Sequence, residues 1–283
     1  MSPTPPAYED DSYAEAWERW FGVIEAAAAP VSQHLLETAR VRPGSAVLDL
    51  ATGLGEPALS AARLCAPEGK VLAVDFSAPM LQRAEARARR QGLDNVAFKD
   101  MDLNEPELPA EAFDAVLCRW GLMFLADLDG LLAQVFRSLK PGGRFVAAVW
   151  TEPERVPAIA LSGRVVRQHL GLEPPEEGRL SPFACADQEA LERRLRDVGF
   201  AGIESREQQV DYVFASLGDF VQFRKDLSGP LRAEMAAFPP ERQDAAWQAL
   251  AEAASDYTDA EGRVRLANTA RCVSAEKPGV PTS

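Results

Sequence analysis

The sequence predicts an α/β protein organised on one doubly wound parallel sheet with helices on both faces. Three observations carry that expectation. Short apolar runs alternate with helical segments between residues 46 and 150. Hairpin signals between those runs are scarce, so helical crossovers join the strands and leave them parallel. Finally, Gly53 and Gly55 lie between the first apolar run and the next helix, where such sheets take their ligands.

Residues 1–12 are Pro-rich and acidic and read as a loose tail. From 13 to 40 the pattern is helical and aromatic, with Trp17, Trp20 and Phe21. Pro30 is expected to break it into two helices, the second burying Val31, Leu35, Leu36 and Ala39. Arg42, Pro43 and Gly44 end that cap and open a strand over 46–52. Strand 71–76, helix 79–91, strand 96–102 and strand 113–120 follow. Helix 128–139, a Lys-Pro-Gly-Gly turn (140–143) and strand 144–150 close the core. Beyond it come a helix over 156–170, a Pro-rich loop over 173–182, and a helix over 187–198 with Asp187 as N-cap and Gly199 as its stop. Two β-like runs, 203–214 and 263–275, flank a mostly helical insertion over 217–259 rich in aromatic and aliphatic residues. The expected organisation is therefore a helical cap (1–40), a ligand-binding core (41–150), and a C-terminal part (151–283). The last completes the sheet and carries the insertion as a lid, with an ordinary covering layer over the sheet as the alternative.

A chain of 283 residues with 47% hydrophobic residues has ample material for a core. Its formal charge of −13 opposes binding to phosphate backbones or anionic lipid. The basic run of Arg83, Arg87, Arg89 and Arg90 is interleaved at helical spacing with Ala and Glu85, so it reads as a solvated helix face. Cys65, Cys118, Cys185 and Cys272 are scattered, which argues against a metal site and a disulfide framework. No secretory leader and no run of roughly 18 apolar residues is visible. The expected compartment is the reducing cytoplasm, with no nucleic-acid partner and no membrane span.

The chemistry concentrates after the first strand. Gly53, Gly55 and Ala58 match G-x-G-x-x-G/A between strand and helix, a pattern shared by dinucleotide and S-adenosylmethionine (SAM) sites. It is read as close backbone approach to a ligand at Gly53 and Gly55. Asp49 falls inside the strand between Leu48 and Leu50, where a buried carboxylate needs a cationic or hydrogen-bonding partner. An amino acid's ammonium is such a partner and a pyrophosphate is not; a structural carboxylate hydrogen-bonded to backbone amides is the alternative. Glu56 at the helix N-terminus would repel phosphate, and Pro57 removes an N–H that phosphate would use. Asp75 ends the second strand twenty residues after Gly55, the spacing at which a carboxylate reaches ribose hydroxyls. Phe76 follows it for packing on adenine. The third strand presents Asp102 and Leu103 on the same rim, with a turn cap as the alternative for Asp102. Arg119 and Trp120 end the fourth strand at the ligand crevice, with a structural ion pair as the alternative for Arg119.

Four blocks carry a resemblance: VLDLATGLGEPALSAA (47–62), KVLAVDFSAPML (70–81), FKDMDLNEPELPAEAFDAVLCRWGLMF (98–124) and LKPGGRFVAAVW (139–150). Their order and spacing are similar to those of class I SAM-dependent methyltransferases, in the ubiquinone/menaquinone-biosynthesis methyltransferase-like branch. The match covers the first 150 residues, and SPFACADQEALERRLRDVGF (181–200) resembles the family's helix before its sixth strand. One departure is Ala51, where the family has the first glycine of D-x-G-x-G-x-G. The resemblance implies a Rossmann-like seven-stranded sheet, the last strand antiparallel, with S-adenosyl-L-methionine as cofactor and S-adenosyl-L-homocysteine (SAH) as product. It implies a cofactor pocket of Asp49, Ala51, Thr52, Gly53, Gly55, Asp75, Phe76, Met80, Met101, Asp102, Leu103 and Arg119. Trp17 and Trp20 fall where the family's N-terminal helix folds over cofactor and acceptor, with plain core packing as the alternative.

Methyl transfer from a sulfonium is an in-line displacement that needs positioning and exclusion of water more than a protein nucleophile. A base is needed only where the acceptor's proton is hard to remove. The expected acceptor is a small, largely apolar metabolite such as a phenol, quinone or polyketide, since the insertion supplies aromatic and aliphatic residues more than charges. Trp17, Trp20, Trp120, Met123, His169, Phe223 and Tyr257 are candidates for its pocket; no residue is assigned as catalytic, and His34 reads as packing. A nicotinamide-dependent oxidoreductase and a SAM-binding cyclase or regulatory protein stand as alternatives.

Overall fold

The computed structural model describes residues 10–173 and 181–279. The expected loose tail lies outside them up to residue 9, and the Pro-rich loop does so over 174–180. Within them the first element is a helix, α1 (Asp11–Thr38), capped by Asp10, whose side chain accepts from the Ser12 N–H. Pro30 does not divide it. The missing Pro30 N–H deprives the Ala26 carbonyl of a partner, but both residues are exposed, so water serves that carbonyl. Ala27, Ala28, Val31 and Leu35 on the opposite side are buried and hold the helix together through packing.

The core alternates as expected: β1 (Ala46–Leu50), α2 (Ala58–Cys65), β2 (Lys70–Asp75), α3 (Ala78–Arg90), β3 (Val96–Asp100), β4 (Phe113–Arg119), α4 (Leu128–Ser138) and β5 (Leu139–Trp150). Then come α5 (Pro157–Leu170), α6 (Gln188–Val198), β6 (Ala201–Phe214), α7 (Leu217–Leu227), α8 (Gly229–Met235), α9 (Pro240–Ala254) and β7 (Val264–Glu276). The strands form one seven-stranded sheet in the order β3-β2-β1-β4-β5-β7-β6. Pairings among β1 to β5 are parallel, whereas β7 runs antiparallel to both β5 and β6. The doubly wound sheet with an antiparallel last strand is the predicted fold. Strand order reverses between β1 and β4, and ligands bind at the carboxyl ends beside such a reversal.

Sequence and local structure agree in detail at α6. Asp187 caps it by accepting from the Ala190 N–H at 3.0 Å, Leu191 and Leu195 are buried, and Gly199 ends it at φ +110°. The cap contributes about 1 kcal/mol. Two local differences from expectation matter. The strand predicted over 46–52 stops at Leu50, because Ala51 turns the chain at φ +54°. The Lys-Pro-Gly-Gly turn lies within β5, where Phe113 pairs with Leu139 and Ala115 with Arg144, leaving the glycines as an irregularity in the ladder.

The insertion between β6 and β7 is α7, α8 and α9 with a single turn at Ser255–Tyr257. Its Phe220, Phe223, Leu231, Met235, Trp247 and Leu250 are buried in the main core, against α1 and α5. No helix among the described residues is long and apolar enough to cross a membrane.

Candidate functional site

β1 delivers Asp49 to the centre of the sheet, where it has no exposed surface. Its Oδ2 accepts from Thr52 Oγ1 at 2.7 Å and from the Ala58 N–H at 3.2 Å. Its Oδ1 is buried and has no hydrogen-bond partner among the described residues. Burial pushes the carboxyl pKa up to about 7, opposed by the Thr52 hydroxyl, the Arg119 charge and the Ala58 N–H. A cation placed at Oδ1 would restore the ionised form.

The loop that follows is shaped by backbone conformation. Ala51 and Gly53 both have φ +54°, and Gly55 has φ +104°. A Cβ on Gly53 would meet nothing within 4 Å, which leaves that face open to a ligand, whereas one on Gly55 would press on Leu59 at 3.1 Å and Ala84 at 3.2 Å. Glycine is required there by left-handed φ and, at Gly55, by helix packing. The Ala51 methyl sits where it does because position 121 is glycine: a Cβ on Gly121 would stand 2.6 Å from it. Non-glycine residues in this region cost roughly 1–2 kcal/mol.

Asp75 ends β2 and ties the loop down. Its Oδ2 accepts from the Gly53 N–H at 2.8 Å and its Oδ1 from the Ser77 N–H at 3.0 Å. Burial raises its pKa, opposed by those N–H groups. Each oxygen keeps a further lone pair. Ser77 Oγ beside it is buried without a partner among the described residues. Phe76 is half-buried, and Met80 is buried with Leu54 and Ala14, beneath Tyr13, Trp17 and Phe21 of α1. Met101 donates its N–H to the Asp75 carbonyl at 3.0 Å, and Leu103 is buried next to it. Asp102 makes the turn that was its alternative reading, accepting from the N–H and the side-chain Nδ2 of Asn104, each at 2.9 Å.

Arg119 at the end of β4 takes the ion-pair role. Its guanidinium reaches Glu25 of α1 at 2.8 and 2.5 Å and Ser32 Oγ at 2.7 Å, with 8% of the side chain exposed. Between α1 and α2 lies a cleft of about 580 Å³, lined in part by Phe21, Glu25, Ser32, Glu56 and Leu64. Trp120 has φ +59°, and its ring lies flat on Trp150, with centroids 4.5 Å apart and planes at 11°. Met123 is buried in the turn Leu122–Phe124 that follows.

The remaining candidates divide between two places. Trp17 covers the loop, with Tyr13 edge-on at 6.2 Å. Trp20 points the other way, donating Nε1–H to Asp226 Oδ2 at 2.8 Å and packing edge-on against Phe214 and Phe223. Phe223 belongs to that second aromatic cluster, and Tyr257 is half-buried beyond α9. His169, expected nearer the pocket, is exposed in the last turn of α5, a helix packed mainly on α9 and β7.

Four buried polar atoms without partners among the described residues surround the carboxyl ends of β1, β2 and β4: Asp49 Oδ1, Ser77 Oγ, Trp17 Nε1 and Trp120 Nε1. A diphosphate would face Asp49, Asp75 and Glu56 and does not suit this rim. SAM would fit the first two atoms, with Asp49 for its ammonium and Ser77, beside Asp75, for hydroxyls; the two indole N–H groups are not needed for that fit. Ser77, Glu25, Ser32, Trp150 and Tyr212 escaped the sequence reading. Ser77 follows the β2 carboxylate directly, and Tyr212 stands between Val210 and Phe214 in a period-two buried pattern; Glu25 carries no local signal. Burial raises the Tyr212 phenol pKa, opposed by Arg119.

The family model described as a methyltransferase domain matches residues 47–143. A ubiquinone/menaquinone biosynthesis C-methyltransferase UbiE from Marinomonas sp. is 30% identical over 182 residues, covering 59% of this chain and 71% of the relative. Among solved structures, phosphoethanolamine N-methyltransferase 2 of Haemonchus contortus, in complex with phosphomonomethylethanolamine and SAH, matches with a TM-score of 0.59 and 20% identity. That match covers 96% of this chain and 59% of the other. The [4+2]-cyclase SpnF matches with a TM-score of 0.56 and 19% identity, over 99% of this chain and all of the cyclase. At these identities the structural likenesses establish the fold.

Proposed function

The chain belongs to the UbiE-like class I SAM-dependent methyltransferases, and from that premise we propose that its methyl acceptor is a small, largely apolar phenol, quinone or polyketide-like metabolite. SAM is the cofactor of this family, and bound here it would supply an activated methyl group. The chain's own contribution is placement. Asp49 holds the ammonium at Oδ1, and Thr52 and the Ala58 N–H fix the rotamer of that carboxylate. Asp75 uses its remaining lone pairs on ribose hydroxyls while its N–H contacts keep the Gly53 loop in place. Phe76, Met80, Met101 and Leu103 form the apolar wall for adenine, with Asp102 at its rim. Trp17 closes the top from α1.

Support for an apolar acceptor comes from the apolar side chains at the carboxyl ends of β4 and β5, Trp120 and Trp150, with Met123 buried in the turn that follows β4 and aromatic residues of β6 and α7 in the same core. Positioning of this kind lowers a barrier by roughly 7–11 kcal/mol. Among the described residues no side chain near the crevice is placed as an evident base, and the reading needs none for an acidic acceptor. The insertion α7–α9 serves as the outer wall of the acceptor pocket.

The single observation that carries the cofactor assignment is the partnerless buried Oδ1 of Asp49. Calorimetric titration with SAH and with NADH tests it. Binding of SAH alone is expected, and binding of NADH alone would overturn the reading. Turnover of a phenol, quinone and polyketide panel then tests the acceptor class, and exclusive methylation of charged or phosphorylated acceptors would sink it.

A further inference from the structure

Trp120 keeps a backbone conformation that bulky residues rarely adopt, φ +59°, at the carboxyl end of β4 beside the Ala51–Gly55 loop. Three contacts hold it there. Its N–H donates to the Ala148 carbonyl at 2.8 Å. The next residue, Gly121, packs on Ala51 with no room for a side chain. Its ring lies flat on Trp150, which is itself 5% exposed, so the plane of the indole is fixed. The Arg119 guanidinium stands 5.3 Å from the ring centroid, held in turn by Glu25. Strain that persists because the surroundings over-determine it concentrates at ligand sites.

The indole Nε1 is buried and meets no acceptor among the described residues. A phenyl ring would stack on Trp150 equally well and leave no donor unsatisfied. The N–H therefore burdens the free protein and gains only when something arrives that accepts from it. Indole nitrogen is a donor only, so the arriving group must be an acceptor. We propose that Trp120 is a specificity-determining residue: its Nε1–H donates to an oxygen of the methyl acceptor, a carbonyl, phenolate or enolate. That contact sets which edge of the acceptor faces the transferred methyl group. The proposal rests on the methyltransferase reading above. It selects oxygen-bearing rings over hydrocarbons of the same shape.

Trp120→Phe keeps the stack and deletes the donor. Wild type and variant are titrated with SAH by calorimetry, and the SAH-loaded proteins are then titrated with 1-naphthol and with naphthalene. SAH affinity is expected to stay within about twofold. Wild type should prefer 1-naphthol by about tenfold, the worth of one net hydrogen bond, and the variant should lose that preference. The Trp120 indole ¹⁵N–¹H resonance should move downfield with 1-naphthol and not with SAH. Loss of SAH affinity in the variant, or a resonance that responds to SAH, would overturn the proposal by giving the donor to the cofactor. An equal preference in both proteins, or none in wild type, would overturn it too. If the variant does not fold, the wild-type resonance, assigned through its backbone, decides the question alone. SAH that fails to bind wild type would refute the methyltransferase reading itself, a result the calorimetry separates from the others.

Discussion

Cofactor affinity should depend steeply on pH, and Asp49 should be the reason. In the free protein its carboxyl titrates near 7 because it is fully buried with one oxygen partnerless. An ammonium at that oxygen favours the carboxylate, so binding lowers the pKa and releases a proton. Below pH 7 the protein must first lose that proton, while the ligand's amino group stays charged. The dissociation constant for SAH should therefore rise about tenfold for each pH unit below 7, reaching about a hundredfold at pH 5. Above pH 7.5 it should level off. Isothermal titration between pH 5 and 8, repeated in buffers of different ionisation enthalpy, reads both slope and proton count, and close to one proton should leave at pH 6. Asp75, also raised by burial, acts in the same direction, and Asp49→Asn isolates its share. The same shift acts on folding with the opposite preference. A carboxyl whose pKa is raised in the folded state stabilises the ligand-free protein below the unfolded value near 4. That contribution, at most about 4 kcal/mol, is lost as pH climbs through 7. A flat affinity profile, or proton uptake on binding, would refute the assignment of Asp49.

Three further outcomes are expected. Gly121→Ala should destabilise the protein by about 1–3 kcal/mol in urea unfolding, since its Cβ would lie 2.6 Å from that of Ala51 and 2.9 Å from Cys118 Sγ. Adding Ala51→Gly should restore at least half of the loss, and strictly additive effects would show that the two do not touch. Glu25→Ala leaves the Arg119 guanidinium buried and uncompensated and should cost about 3–5 kcal/mol; a loss below about 1 kcal/mol would mean that the pair is solvated. Asp75→Ala should weaken SAH binding by on the order of 1.5–3 kcal/mol, and unchanged affinity would remove Asp75 from the site.

Much of the core was legible because its signals are local. Alternation of apolar runs and helices located β1 to β5, and the charge and position of Asp49 marked it as the candidate ligand contact. What escaped depends on contacts distant in sequence. The Pro30 break failed because tertiary packing of Val31 and Leu35 outweighs one lost hydrogen bond on an exposed face. Arg119 and Glu25 are 94 residues apart, so nothing near either announces the pair. The methyl of Ala51 looked like a tolerated departure from glycine. Its positive φ and its fit against Gly121 make it one half of a compensated exchange. His169 looked close to the crevice only because it follows the fifth strand, and the helix carries it to the surface.

The path of α1 limits how this enzyme is re-engineered. One continuous rod touches Leu54 and Met80 near its start, grips Arg119 at mid-length, and anchors α7 through Trp20 and Arg19 on Asp226. A chimera that imports a foreign α7–α9 segment alone would leave that indole and guanidinium without their carboxylate. Successful transplants will have to carry rod and segment together, as a single inherited cassette.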